Sequence, residues 1–276
     1  MSSPVTADYL VNDASGALKD NRQGRASVDG WSINLATEAS AINAIVGAAK
    51  AAQGFVCFTL NLDHLVWLRR SEAFRQAYSR ARFVTADGAP VAFMARRQWP
   101  EVKRTTGADL LVPLCQAAAN ADLPIYLFGT CDAALKAASD SLVVNTGGRL
   151  RIAGMEAPPQ GFDVDSAAAD AAMARIAQSG ARLCFVMLGA PKQELFATRA
   201  VDLKAACGFI CVGAAADFIV GQQVRAPRLM QRIGLEWAWR LASDPRRLGR
   251  RYLRCAVLFA RLDLGYRLRA LIPGAR

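Results

Sequence analysis

The chain has 276 residues, of which 53% are hydrophobic and 21% charged, and its formal net charge is +11. This composition is typical of a packed globular protein with one large domain or two small ones, and it excludes a disordered chain. A single histidine excludes an imidazole-rich zinc site and a relay of several histidines. Seven cysteines without a Cys-x-x-Cys motif indicate buried thiols in a reducing compartment.

The first residues of the chain lack the basic and apolar regions of a signal peptide, so none is expected. No run approaches the roughly 18 consecutive apolar residues that a membrane-spanning helix needs. We therefore expect a cytoplasmic protein that can contact a membrane face without crossing it.

The hydrophobic pattern, taken in chain order, predicts strands that alternate with helices after a loose segment over residues 1–27. The predicted strands span 30–35, 55–61, 83–86, 125–129, 150–154, 183–189 and 209–213. The predicted helices span 38–52, 93–98, 108–121, 133–143, 167–178 and 193–204. This alternation predicts an α/β fold in which a mostly parallel sheet carries helices on both faces.

The positive charge is concentrated at the carboxyl end of the chain. Residues 225–276 contain 13 arginines, no lysine and three acidic residues, a net charge of +10, which leaves +1 for residues 1–224. We therefore divide the ordered chain into a core over 28–224 and a basic appendage over 225–276. Such asymmetry indicates an anionic partner, which is a nucleic acid, a membrane surface or a substrate that carries phosphate.

A basic amphipathic helix is predicted within the appendage. Ser243, Asp244 and Pro245 form a helix start, since serine or aspartate can cap and proline is tolerated in the first turn. The helical period predicts one arginine stripe and an adjoining apolar face. The stripe comprises Arg247, Arg250, Arg254 and Arg261, and the apolar face comprises Leu248, Tyr252, Cys255, Phe259, Leu262 and Tyr266. Two interpretations stay open: the helix packs on the core with a solvated arginine face, or it lies on anionic lipid.

Polar residues and glycines follow the predicted strands, at the sheet edge where ligands bind in folds of this kind. They are Thr59, Asn61, Asp87, Gly129, Gly189 and Gly213. Neither the Gly-x-Gly-x-x-Gly fingerprint nor the P-loop motif occurs. We expect that this edge can hold a nucleotide, though without either standard fingerprint.

Two segments at this edge are candidates for chemistry. Asp87 is either a turn aspartate, since Asp-Gly is a common turn pair, or a carboxylate placed to act as a general base. Residues 189–194, Gly-Ala-Pro-Lys-Gln-Glu, are either an ordinary strand–helix joint or an anion site. In an anion site, backbone N–H groups and Lys192 would receive phosphate, and Gln193 would pair with a base or a sugar.

Other polar residues carry weaker signals. Arg104 is either a diphosphate ligand or a surface arginine. His64 fits a hydrogen-bonded loop or strand-end residue better than a catalyst. Asp163 and Asp165 share the Asp-x-Asp spacing of a metal motif found in many sugar transferases, but no strand leads into them. With no cysteine cluster of metal-binding spacing either, we expect no bound metal.

In their order and spacing, these segments resemble the WecG/TagA/CpsF glycosyltransferases, glycosyltransferase family 26, over residues 28–254. The motifs that carry the resemblance are Thr59-x-Asn61, Ala86-Asp87-Gly88, Arg104-x-x-Gly107-x-Asp109-Leu110, Leu127-Phe128-Gly129, Leu188-Gly189-x-Pro191-Lys192-Gln193-Glu194, Val212-Gly213, Asp217, Gly221, Arg225-Ala226-Pro227 and Gly234-Leu235-Glu236-Trp237-x-Trp239-Arg240-Leu241. Each motif is weak alone, and together they are specific. Pro90 and Ala216 depart from the residues usual in the family, which leaves the identity of the donor open.

The resemblance implies a Rossmann-like core and an inverting, metal-independent transfer that needs no cofactor. The sugar passes from a UDP-sugar to a saccharide linked to polyprenyl diphosphate, in cell-surface polysaccharide biosynthesis. It is N-acetylmannosamine, its uronic acid or glucose. The family's catalytic base falls on Asp87. Its appendage arginines, which close the active site and help to seat the enzyme on the inner membrane face, fall on Arg240, Arg247 and Arg250.

The same resemblance, together with the sheet edge, gives a set of substrate-binding candidates. They are Thr59, Asn61, Arg104, Asp109, Lys192, Gln193, Glu194 and Asp217. The expected partners are the UDP-sugar, the polyprenyl-diphosphate-linked acceptor and the cytoplasmic membrane surface, with a homo-oligomer left open.

The main alternative is a non-catalytic protein that binds nucleic acid or another anion through its basic tail. No groove-reading or base-stacking module is recognised in the sequence, so we expect no nucleic acid among the partners. A nucleotide-dependent oxidoreductase would need the glycine fingerprint that is missing. An inactive membrane scaffold would not need the intact Asp87, Arg104 and Gln193.

Overall fold

The computed structural model describes residues 25–203, 206–219, 221, 226–227, 229–230 and 234–271. Most of the segment predicted to be loose, residues 1–24, lies outside them. Its last two residues, Ala26 and Ser27, belong to the strand Ala26–Val28, so the prediction is wrong there. The predicted boundary between the core and the basic appendage, at residues 224 and 225, also lies outside the described residues.

The core of the molecule is a parallel sheet. The described strands are β1 (Ala26–Val28), β2 (Trp31–Ile33), β3 (Phe55–Leu60), β4 (Phe83–Ala86), β5 (Ile125–Gly129), β6 (Ile152–Glu156), β7 (Leu183–Met187) and β8 (Gly208–Cys211). β1 and β2 form an antiparallel hairpin, and the other six form one parallel sheet in the order β4-β3-β8-β7-β5-β6. The predicted α/β, Rossmann-like fold is therefore confirmed.

Helices follow most of the strands. The described helices are α1 (Glu38–Lys50), α2 (Leu62–Leu68), α3 (Glu72–Ser79), α4 (Ala89–Arg96), α5 (Gly107–Asn120), α6 (Asp132–Asn145), α7 (Ala167–Gln178), α8 (Lys192–Asp202), α9 (Ala215–Ile219), α10 (Glu236–Ser243) and α11 (Pro245–Leu271). The sequence analysis predicts no helix where α2 and α3 lie, because helices this short show little periodic signal. Their cap residues do mark them: Asn61 and Ser71 each accept a backbone hydrogen bond from three residues further on.

The sheet divides the apolar interior into two layers. Alternate residues of β3 point to opposite faces, so Phe58 belongs to one cluster and Cys57 to the other. Helices α2, α3, α4, α7 and α8 contribute to the first cluster, and α1, α5, α6 and α9 to the second. Strands covered on both faces are mostly apolar, which is why the buried runs predict them.

The long helix α11 packs on the first of these layers through one of its faces. Leu248, Cys255 and Leu258 are buried, and Phe259 and Leu262 pack against the core. The helix runs along α2, to which Arg251 ties it by an ion pair with Asp63, 3.1 Å between Nη2 and Oδ2. The interpretation in which this helix packs on the core is confirmed for most of the predicted apolar face.

A second apolar face of α11 points away from the core. Leu253, Val257, Leu264 and Leu268 are exposed and lie within about 60° of one another around the helix axis. We call these four residues the outer stripe. Arg250, Arg254 and Arg261 flank it and are exposed too, while the side chain of Arg247 lies outside the described residues. Within the described part of the chain, no helix combines the length and apolarity needed to cross a membrane.

Substitution of Gly129 by alanine is expected to destabilise the fold by about 3 kcal/mol or more. Gly129 has a φ of 128°, and a Cβ there would lie 2.4 Å from the carbonyl oxygen of Met187. Gly47→Ala is the matched control, because that glycine lies in α1 with open space around it. Chemical unfolding should show a loss for the first variant and a small gain for the second. Equal stability of the two variants would contradict the close approach of β5 to β7.

Candidate active site

Three of the predicted site residues meet where β3 and β4 end. These strands are parallel neighbours, and the backbone N–H of Asp87 donates to the carbonyl of Leu60, 2.8 Å away. Thr59 Oγ1 donates to Asp87 Oδ2 at 3.5 Å, and Asn61 Nδ2 donates to the same oxygen at 3.4 Å. The structure therefore brings Asp87, Thr59 and Asn61 together at the predicted edge of the sheet.

Asn61 has two roles at this point. Its Oδ1 accepts the backbone N–H of His64 at 3.0 Å and so caps α2, while its Nδ2 faces Asp87. On the other side of Asp87, the chain turns at Gly88, whose φ is 80°, and enters α4 with Pro90 in the first turn. Asp87 therefore lies between the starts of α2 and α4. It is a turn residue, and the same position also suits the candidate general base.

The surroundings of Asp87 raise the pKa of its carboxyl to about 6. Burial is the largest cause, and Glu236 adds to it. The hydrogen bond from Asn61 and the charges of Arg240 and Arg104 lower the pKa and limit the rise. A carboxyl group with such a pKa is ionised at neutral pH and is a stronger base than an ordinary aspartate, which suits general-base catalysis.

Two arginines from distant parts of the chain lie near Asp87. Arg104 comes from the loop before α5, and Arg240 belongs to α10 in the basic appendage. Both contact one carboxylate: Arg104 Nη1 donates to Glu236 Oε2 at 3.1 Å, and Arg240 Nη2 donates to Glu236 Oε1 at 2.6 Å. Arg104 Nη2 also lies 3.6 Å from Asp109 Oδ2. The predicted residues Arg104, Asp109 and Arg240 therefore form one charged cluster beside Asp87.

Glu236 is the member of this cluster to which the sequence analysis assigns no role. The acid stands four residues before Arg240, the spacing at which side chains meet on one helix face. That spacing in the sequence predicts the contact between Glu236 and Arg240. The contact with Arg104 spans 132 positions and has no local signal.

The first turn of α8 is more enclosed than the sequence suggests. Gln193 Nε2 donates to Glu194 Oε1 at 2.7 Å, and Gln193 Oε1 accepts the N–H of Gly213 at 3.0 Å. Both side chains are buried, and Lys192 Nζ donates to the carbonyl of Phe162 at 2.7 Å. Gln193 thus links the ends of the neighbouring strands β7 and β8, and Lys192 contacts the loop before α7. The part of Lys192, Gln193 and Glu194 in substrate binding stays a prediction.

A comparison with known protein families identifies the family of this chain. The sequence profile described as "Glycosyl transferase WecG/TagA/CpsF family" matches residues 26–272, which is nearly the whole chain. The chain belongs to this family. The protein is therefore a glycosyltransferase of cell-surface polysaccharide biosynthesis, a class that acts on a sugar donor and a lipid-linked acceptor.

The single histidine of this glycosyltransferase is a buried helix residue. His64 lies in α2, where its Nδ1 is 2.6 Å from the Tyr78 hydroxyl and its Nε2 is 3.6 Å from Glu194 Oε1. Burial lowers the pKa of His64 to about 3 and raises that of Glu194 to about 7. The interpretation of His64 as a hydrogen-bonded residue is confirmed, although it lies on a helix and not in a loop or at a strand end.

The remaining candidates of the glycosyltransferase lie apart from Asp87. Asp217, in α9, accepts a hydrogen bond from Thr130 Oγ1 at 2.9 Å, beyond the end of β5. Asp163 accepts the backbone N–H of Asp165 just before α7, and Asp165 Oδ1 lies 3.6 Å from Arg199 Nη1. Across the residues that the structure describes, no cluster of three or more histidine, cysteine, aspartate or glutamate side chains is placed to hold a metal.

Proposed function

We propose that this glycosyltransferase is inverting and metal-independent, and that it moves a sugar from a UDP-sugar to a saccharide linked to polyprenyl diphosphate. The observation that carries the proposal is Asp87 with its raised pKa, flanked by the guanidinium groups of Arg104 and Arg240. A base and two fixed positive charges are the groups that a single displacement at the anomeric carbon needs.

In the proposed reaction, Asp87 takes the proton of the acceptor hydroxyl. The hydroxyl oxygen forms a bond to the anomeric carbon from the face opposite to UDP, and the bond from that carbon to the β-phosphate oxygen breaks. The electron pair of the broken bond stays on the diphosphate, where Arg104 and Arg240 stabilise the added negative charge. Guanidinium groups then supply the charge that a divalent cation supplies in other transferases, which is why we propose a reaction without metal.

The acceptor determines where the enzyme works, because its polyprenyl chain stays in the membrane. The outer stripe of α11 gives the enzyme an apolar face that the core does not cover, with arginines on its flank. A helix with this arrangement lies in the interface of an anionic membrane with its apolar side chains inserted. We therefore propose that the enzyme is a peripheral protein of the membrane, on its cytoplasmic face.

Incubation with solubilised polyprenyl-diphosphate saccharides and a panel of UDP-sugars, in the presence of EDTA, tests the reaction. The panel contains N-acetylmannosamine, N-acetylmannosaminuronic acid and glucose donors. We expect UDP release with one donor, dependent on the acceptor and unchanged by EDTA. Release only after Mg²⁺ is added would contradict metal independence. Retention of the donor's anomeric configuration in the product would contradict the single displacement.

Replacement of Leu253 and Leu264 by glutamine is expected to weaken binding to phosphatidylglycerol vesicles about tenfold. These side chains are 67% and 57% exposed, so the double variant should fold normally. Val144→Gln is the control, because Val144 is 78% exposed on α6, outside the appendage. Vesicle flotation at fixed salt measures the difference. Equal binding of the double variant and the control would contradict the membrane role of the outer stripe.

A further inference from the structure

Glu236 joins the basic appendage to the core through its carboxylate. One of its oxygens accepts from Arg104, which belongs to the core, and the other accepts from Arg240, one turn further along α10. The Glu236 side chain is only 15% exposed, so water does not replace these contacts easily. The two guanidinium groups, which repel each other, are held together by the anion between them.

Among the described residues of this cluster, the positive and negative charges are equal in number. Arg104 and Arg240 carry two positive charges, and Glu236 and Asp109 carry two negative ones. Ionised Asp87 adds another negative charge beside them. A diphosphate that enters this site needs guanidinium donors, and the carboxylate of Glu236 already occupies a donor on each arginine.

We propose that Glu236 is a positioning residue that acts as the exchangeable counter-ion of Arg104 and Arg240, and that it yields both guanidinium groups to the diphosphate of the sugar donor. This inference rests on the proposed function, since it takes the donor to be a nucleoside diphosphate sugar. Glu236 keeps the two arginines in place before the donor arrives. It also competes with the product UDP for them and so favours its release.

This role predicts opposite effects on binding and on turnover when the charge of Glu236 is removed. Glu236→Gln raises the positive charge of the site, so a diphosphate should bind about fivefold to tenfold more tightly. Turnover should fall, because UDP leaves more slowly and Asp87 becomes a weaker base. The groups that act on Asp87 are Asn61, Arg104, Arg240 and Glu236, and of these Glu236 alone raises its pKa. The acidic limb of the rate profile should therefore move to lower pH.

Titration calorimetry with inorganic pyrophosphate and, separately, with UDP tests the exchange at low salt. Glu236→Gln should bind both anions more tightly than the native protein. Glu236→Asp keeps the charge, and its affinity for both should stay within about twofold of native. Glu72→Gln, which removes an exposed carboxylate paired with Arg75 on α3, is the control and should change neither affinity. Thermal unfolding checks that each variant is folded.

The outcomes separate this inference from the proposed function. Unchanged or weaker pyrophosphate binding by Glu236→Gln overturns the counter-ion role, and so does the absence of pyrophosphate binding by both proteins. A loss of affinity in Glu236→Asp as well as in Glu236→Gln shows a purely structural role and also overturns it. Tighter pyrophosphate binding without any UDP or UDP-sugar binding supports the counter-ion role and contradicts the choice of UDP-sugar as donor.

Discussion

Replacement of Asp87 by asparagine is expected to lower the rate of sugar transfer at least about 100-fold, the usual scale for the loss of a general base. The amide fills the same space but cannot accept the proton of the acceptor hydroxyl. Because the pKa of Asp87 is raised to about 6, the native rate should fall as the pH drops through that value and Asp87 becomes protonated. Initial rates of UDP release between pH 5 and pH 8 measure both effects.

Asp140→Asn is the control for this experiment, since Asp140 is an exposed residue of α6 paired with Lys136. The control should keep the native rate and the acidic limb near pH 6. The Asp87 variant should keep native stability. Its transfer rate should be low at every pH, without the fall near pH 6 that the native enzyme shows. An Asp87→Asn protein that transfers sugar at the native rate would remove Asp87 from the reaction.

Replacement of Arg104 by glutamine is expected to lower the turnover number by about 100-fold to 1000-fold, with a smaller change in KM. Glutamine keeps hydrogen-bonding capacity but loses the positive charge that faces the diphosphate as it leaves. Stabilisation of that charge matters most in the transition state, so turnover should suffer more than donor binding. Steady-state kinetics with the active UDP-sugar, at saturating acceptor, measures the two parameters.

Two further variants serve as comparisons: one keeps the positive charge at position 104, and the other removes an arginine elsewhere on the surface. Arg104→Lys keeps the charge without the two-pronged donor geometry, so its loss should be intermediate. Arg70→Gln, which removes an exposed arginine after α2, should behave like the native enzyme. If Arg104→Gln raised KM alone and left turnover intact, Arg104 would bind the donor without assisting the departure of UDP.

The sheet could be predicted from the sequence because most of its strands are largely apolar on both faces. The apolar run over 183–188, which ends at Gly189, has few other interpretations, and its residues Leu183–Met187 form β7 as expected. The position of Asp87 at the edge followed from the same pattern, since it comes directly after β4. The strand order was not predictable, because it depends on which helices pack together and not on any one segment.

The charged cluster and the enclosure of α8 could not be predicted, because both depend on distant contacts. Gln193 is buried through its bond to Gly213, 20 positions away, and nothing near it in the sequence indicates this. The two apolar faces of α11 show the same difficulty. Periodicity identified the apolar face that meets the core, but it did not identify the outer stripe, whose residues, such as Leu253, stay exposed when α11 packs against α2.

The two roles of Asn61 restrict which residues evolution can place there. At most helix starts, aspartate, serine, threonine and asparagine replace one another with little cost, because each offers an oxygen to the backbone. Here the cap must also offer an N–H group to Asp87. Aspartate would cap α2 and repel the base, and serine would cap it without a second polar arm. Among the common capping residues only asparagine meets both demands. A substitution that changes the cap of α2 therefore also changes the basicity of Asp87.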